Sequence, residues 1–316
     1  MQRTITTIVL ASLATTALAG PIDPPSGPID STMKTLDEVE PRIPIGPDTT
    51  PGDDNSTYKI TAPGSYYVPR NVSFLSFGSP KHAIEVASNN VTIDFCGFSY
   101  ITLGDSTLNG VTSDGLRLEN ITVKNGTLIG FDIGVVFNST DSENIVIEDM
   151  RILDSDVIGI NVYEARISDC VVKHTAGTGI SITRNGMVDH CTIEDNYTGI
   201  FAGTNTIVHD TNVRDNLEDG ITVSSNCIIR NNVVTENGIG SGIKAGIQVT
   251  GTGSLIDSNV VNNNEFGLRS STASVFVRNI VTSNVIDIDI SPVNPGLGDE
   301  SSSPSGAGAW DNIVLP

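Results

Sequence analysis

"IEDNYTGIFAGTNTIVHDTNVRDNLEDGITV" spans residues 193–223 and says one thing twice. Ile193-Glu194-Asp195-Asn196, followed by Gly199-Ile200, returns as Val213-Arg214-Asp215-Asn216, followed by Gly220-Ile221. Each copy sets an aliphatic residue three places before an Asn and a Gly-Ile pair after it. Short runs such as GINV (159–162), GISI (179–182) and GITV (220–223) alternate apolar with polar or small side chains. That period of two marks a strand with one buried face. The runs are too short, and too broken by Gly and Asn, to be helices.

Working outward, the Gly-aliphatic pair recurs at Gly134-Val135, Gly159-Ile160, Gly179-Ile180, Gly199-Ile200, Gly220-Ile221, Gly246-Ile247 and Gly267-Leu268. The last six glycines are 20, 20, 21, 26 and 21 residues apart. A second column runs Thr175, Asn196, Asn216, Asn237, Asn264, Asn284. A third, five residues earlier, runs Cys170, Cys191, Thr211, Asn232, Asn259, Asn279, and an aliphatic column (Val172, Ile193, Val213, Val234, Val261, Val281) lies between them. Columns that keep step over six units describe a stacked repeat. No single coil can bury its own apolar face, so neighbours must. Three short strands close one triangular coil, and coils stack as parallel strands about 4.8 Å apart. The fold predicted is therefore all-β: a single-stranded right-handed parallel β-helix over residues 58–290, with about nine coils of 20–27 residues. Its hand follows from the bias of parallel crossovers, and its length would be roughly 40 Å. Asn and Gly read as corners. Asn tolerates a left-handed backbone, and its amide can bond its copy one coil away.

Composition agrees. Aromatic residues are 5% and charged residues 17%, with a net charge of −20, which excludes a nucleic-acid partner that needs a basic surface. Residues 1–19, with Arg3, an apolar run from Ile5 to Leu18 and a small-x-small ending at Ala17 and Ala19, read as a cleaved export leader. The location expected is secreted, periplasmic or cell-surface, with no transmembrane segment, since no later apolar run reaches about 18 residues. Residues 20–57 are Pro-rich, repeat GPID, and read as a tether with little regular structure from residue 33 on. Residues 291–316 read as a C-terminal tail or cap.

The stretches NNVTIDFCGFSY (89–100), NITVKNGTLIGF (120–131), NNVVTENGIGSGI (231–243) and the lead-in YKITAPGSYYV (58–68) resemble the exported right-handed β-helix proteins of the pectate-lyase-like superfamily. The resemblance covers roughly residues 58–290. It implies the architecture far more than an activity, because members include polysaccharide lyases, glycoside hydrolases, uronate epimerases, phage tailspikes, adhesins and a periplasmic accessory protein of copper-enzyme maturation. Cys96 departs from the pattern, standing where these proteins often carry Asn before Gly-Phe. The NTD, DD, GHG and RIK set of polygalacturonases is absent, as is the DPHD of alginate epimerases.

Cys96, Cys170 and Cys191 fall in the corner column by count, and Cys227 lies elsewhere. Buried free thiols, a Cys170–Cys191 disulfide strained by parallel Cβ vectors, and a metal site all stay open. GIGSGIKAG (238–246) places Ile243 where a dinucleotide fingerprint needs its third Gly, and reads as a lateral loop. There is no P-loop, HExxH, GxSxG or calcium-binding nonapeptide array. The N-x-S/T triplets at Asn120, Asn125, Asn138 and Asn196 read as corner and strand chemistry, with Asn196 facing inward.

The candidate site comes from position. Two polar columns precede the corner: Ser168, Asp189, His209, Arg230, Asp257, and Asp169, His190, Asp210, Asn231, Ser258. Stacked in register they set His190 between Asp169 and Asp210, and His209 between Asp189 and Arg230. Asp189, His190, His209, Asp210 and Arg230 are thus candidate catalytic or binding residues: a His flanked by carboxylates can act as base, and Arg can hold a sugar carboxylate. The plain alternative is a solvated face that alternates charge to avoid like neighbours. The loop 238–246 is expected to wall one side of that face. Asp195, Asp215 and Glu236 would stack with less compensation and are the candidate ligands for calcium, the sole cofactor suggested; splayed, hydrated carboxylates are the alternative. The function favoured is a non-catalytic exported binder of glycans or cell-surface material. The alternatives are a polysaccharide lyase, hydrolase or epimerase acting on an acidic glycan, against which the scarcity of aromatics counts, and a structural or metal-handling envelope protein.

Overall fold

The computed structural model describes residues 42–75, 81–103, 108–240, 242–290, 298–302 and 308–315. The leader and the tether up to residue 41 lie outside the described residues. Among the described residues regular structure is strand throughout, and the strand pairings are parallel. Each coil carries three strands. In Thr178–Arg184, for example, Ile180 and Ile182 face in and Ser181 faces out, as the alternation predicts. Three rows of such strands stack into a right-handed parallel β-helix. The first row holds eleven strands, from Ser56–Ile60 to Ile286–Ile290. The second and third rows belong to one larger sheet, because Glu119–Ile129 and Glu143–Leu153 run straight through the corner between them.

Eleven first-row strands exceed the nine or so coils expected, and make a stack of about 48 Å at the strand spacing. The extra coils are N-terminal. Ser56 pairs with His82 and Ile84 with Val111, so the period there is longer, and the first two strands lack the Gly-aliphatic signal.

Each row contributes an inward stripe: Ile160, Ile180, Ile200, Ile221 and Ile247 in the first, Ile167, Val188, Val208, Ile229 and Ile256 in the second, Val172, Ile193, Val213, Val234 and Val261 in the third, all fully buried. Full burial of one such side chain contributes about 1.5–3 kcal/mol, so the stripes dominate the stability of a coil.

Two details of the corner reading need correction. The Asn columns are buried and not left-handed; the left-handed residue is the one before, as at Asp195 (φ 56), Asp215 (φ 56), Glu236 (φ 59), His190 (φ 54) and Asp210 (φ 52). That turn throws its own side chain outward and the following Asn inward. There the amide ladder forms as expected: Asn196 Nδ2 donates to Asn216 Oδ1 at 3.1 Å, Asn216 Nδ2 to Asn237 Oδ1 at 2.8 Å, and Asn237 Nδ2 to Asn264 Oδ1 at 3.0 Å. The repeating glycines are not corners either. A Cβ on Gly159 would lie 2.4 Å from Val172 Cγ1 and 2.5 Å from the Gly179 carbonyl oxygen, so the position requires close approach of the backbone.

Both ends are finished. Residues 42–57, expected to lack regular structure, fold onto the first coil. Ile43–Pro44 pairs with Gly64–Tyr67, Ile45 and Ser56 are buried, and Lys59 Nζ ties Asp53 (2.7 Å) to the buried Glu85 (2.6 Å). Pro44 fits because an edge strand needs no donor on its open side. At the other end Asn279 donates to Asn312 Oδ1 (3.0 Å), in the strand Asn312–Leu315 that adds to the third row. Asn284 donates from its backbone N–H (3.1 Å) and its Nδ2 (2.9 Å) to Asp287 Oδ1. All four cysteines are free thiols. Cys170, Cys191 and Cys227 are buried, whereas Cys96 takes the left-handed position (φ 52) and is half-buried, one column away from the place read from the sequence. The near Cys191 thiol, and then burial, hold the Cys170 thiol well above its usual range.

Candidate functional site

The second row ends in the column Asp189, His209, Arg230, Asp257, paired in the register expected. His190 and Asp210 follow at the left-handed corner. The five candidates are therefore brought to one face, but their His–Asp contacts join chain neighbours rather than residues of successive coils. His209 Nδ1 lies 2.7 Å from Asp210 Oδ2, and His190 Nδ1 lies 3.4 Å from Asp189 Oδ2. The two rings meet edge to face at 6.1 Å. Arg166, absent from the sequence reading, donates to Asp189 Oδ2 at 3.0 Å, and Asp189 is covered rather than outward, its side chain 7% exposed. The hydrogen bond from His209 holds the Asp210 carboxyl below its usual range. Arg230 is exposed, and its charge reaches Asp257.

At the third corner Asp195, Asp215 and Glu236 do occupy one left-handed column, with His174 (φ 57) before them. They do not converge. His174 lies between Asp154 (3.2 Å) and Asp195 (3.5 Å), while Asp215 has Arg214 at 3.6 Å on one side and Glu236 on the other. Among the described residues no three His, Cys, Asp or Glu side chains are placed to hold a metal ion. Burial first, and then the Glu236 carboxylate, push the Asp215 carboxyl up.

The lateral loop does not wall the histidine face. It leaves after the third-row strand Val233–Thr235 and returns at Ala245–Val249, so it folds over the first row, a corner away. Lys244 pairs with Glu218, Glu265 accepts the Gly240 N–H at 3.1 Å, and Arg269 donates to the Ile243 carbonyl. Behind the loop is a groove of about 370 Å³ lined by Asp219, Ile243, Lys244, Gln248, Arg269, Ser270, Ser271 and Asp289. Gln248 and Arg269 are outward residues of one register column that also holds Phe201 and Thr222. Phe201 is 39% exposed, an aromatic face two coils before Gln248 in that column. Arg269 lies 5.0 Å over the Phe266 ring and 3.2 Å from Asp289. Asp219 is buried; its Oδ1 accepts the Ala245 N–H at 2.8 Å and its Oδ2 the Thr222 hydroxyl at 3.3 Å. A second groove, about 410 Å³, lies beside it at the third corner, with His174, Asp195, Tyr197, Asp215 and Leu217 in its lining. Sequence reasoning missed Lys244, Gln248, Arg269 and Tyr197. The signal for two of them was present: the residue after each Gly-aliphatic pair faces out, and at Gly246-Ile247 and Gly267-Leu268 that residue is Gln248 and Arg269.

The fold is similar to that of the mannuronan C-5 epimerase AlgE4 A-module of Azotobacter vinelandii, with a TM-score of 0.59, 13% identity, and 80% of this chain and 78% of that one covered. It is also similar to the periplasmic alginate epimerase AlgG, with a TM-score of 0.53, 14% identity, and 83% and 78% covered. At such identities the likeness is one of fold. No curated protein sequence matches the chain. The family model for the right-handed β-helix region matches residues 69–206 and 184–286, most of the coils described above, and the chain belongs to that family.

Proposed function

We propose that this chain is an exported glycan-binding β-helix whose ligand lies along the outer face of the first row. The loop-walled groove carries the reading. Lys244 and Arg269 supply charge for a sugar carboxylate, and the Gln248 amide and the serine hydroxyls can meet sugar hydroxyls. Phe201, in the same column, offers a ring for stacking. Coils spaced by one strand width repeat at about the rise of one sugar in an extended chain. The fold's likeness to epimerases of mannuronan and alginate supports a polysaccharide ligand. The test is calorimetric titration with oligouronates. Wild type binds, and the double variant Lys244→Ala, Arg269→Ala loses at least about tenfold, since one hydrogen bond to a charged group contributes about 1.5–3 kcal/mol. No heat of binding with wild type at low salt would refute the reading.

A second reading, turnover of an acidic glycan by elimination or epimerisation, is favoured by one contact. Asp210 accepts from His209 Nδ1, which leaves Nε2 free as a base, with Arg230 next in register to hold a carboxylate. The variant His190→Gln, His209→Gln separates the two. A binder keeps its affinity and its melting point, whereas an enzyme loses the ultraviolet absorbance of an unsaturated product, or the NMR signal of an inverted C5.

A further inference from the structure

The two grooves share a corner and differ in charge. The loop-walled groove balances Lys244 and Arg269 against Asp219 and Asp289. The neighbouring groove presents Asp195 and Asp215. Leu217 lines one and Asp219, two residues on, the other, and Lys244 pairs with Glu218 between them. The cleft is these two adjoining grooves, one at the third corner and one on the first row.

Its corner end carries an excess of negative charge. His174 stands between Asp154 and Asp195, and one imidazole between two carboxylates cannot offset both. Arg214 makes its shorter contact with Glu194, at 2.8 Å against 3.6 Å to Asp215, and Lys173 also pairs with Glu194. Asp215 and Glu236 remain face to face. Tyr197, 46% exposed, and Leu217, 62% exposed, form the apolar wall opposite. A uronan with charge on every sugar is held at Lys244 and Arg269 alone and gains nothing at this end, where its next carboxylates meet like charge. An ammonium fits there, between carboxylates and beside an aromatic ring.

We propose that the cleft binds a zwitterionic glycan in which a carboxylate-bearing sugar neighbours a sugar with a free amine. The carboxylate sits at Lys244 and Arg269, and the ammonium at Asp195 and Asp215 beside Tyr197. This rests on the glycan-binding reading and names the ligand class for it.

The test uses the full chain and three oligosaccharides of equal length: alternating glucuronate and free glucosamine, the same oligomer with every amine acetylated, and a glucosamine oligomer without acid. In calorimetric titration the free-amine zwitterion should bind at least about tenfold tighter than either other probe, a difference of about 1.4 kcal/mol. Asp195→Asn with Asp215→Asn should reduce it to the level of the acetylated probe and leave the affinity for that probe unchanged. Both positions are left-handed (φ 56 each), a backbone Asn accepts, so the variant should melt with wild type. Lys244→Ala with Arg269→Ala should weaken both acid-bearing probes. Equal affinity for free-amine and acetylated oligomers, tightest binding of the acid-free oligomer, or no loss in the Asp variant would overturn the ligand class while leaving glycan binding in place. Silence of wild type toward all three would overturn both.

Discussion

Asp219 sits at the inner edge of the cleft with 9% of its surface exposed, and burial pushes its carboxyl up despite the Ala245 N–H and the nearby Lys244. A carboxyl whose folded value is raised favours the protonated state. Its contribution to stability is complete below the ordinary carboxylate range and is lost as pH rises through the raised value. Asp219→Asn is neutral at every pH, so the variant should melt above wild type at neutral pH, the gap closing toward pH 3–4, near the ordinary carboxylate value. A gap that stays constant with pH would disprove this cause. At this scale the sequence spoke unevenly. Val172, Ile193 and Val213 announced themselves as inward because only an apolar residue can stand there. The left-handed corner did not, because it accepts Asp195, Glu236, His190, Ser258 and Arg278 alike. Five of the eight candidate site residues stand at such corners or stack in their column (His190, Asp210, Asp195, Asp215, Glu236), which explains their outward aim without any chemistry.

Within a coil, ladder and close approach can be weighed separately. Asn216 accepts from Asn196 and donates to Asn237 in the buried interior. Asn216→Leu should cost about 1–3 kcal/mol through unsatisfied partners. Asn55→Leu, on an exposed side chain, should cost almost nothing. Equal shifts in denaturant midpoint would contradict the ladder. Gly159→Ala places a methyl against Val172 and a backbone oxygen, and should cost about 1–3 kcal/mol, read by the same unfolding curve. The strands were legible because a period-two pattern and a fixed step constrain one another. The cleft was not, since Lys244 reaches it only after the loop between Asn237 and Ala245 folds back onto the first row, a path no column records.

For the whole molecule the ends matter as much as the repeat. Ile43–Pro44 and the buried Ile45 and Ser56 cover the first coil, so a chain starting at residue 58 would expose the edge of Gly64–Tyr67 and should elute from size exclusion as oligomers. A monomer would show that this cover is dispensable. The sequence hid the cover because its Pro-rich composition reads as a tether, and a cap two residues wide has no period. The other end holds a consequence of its own. An Asn amide both gives and receives, so each link in the ladder invites another. Asp287 receives twice from Asn284 and, with no amide N–H on its side chain, has nothing to pass on. This amide ladder thus has a grammar, with a full stop written as one carboxylate. Coils duplicated upstream would lengthen the sentence without disturbing that end.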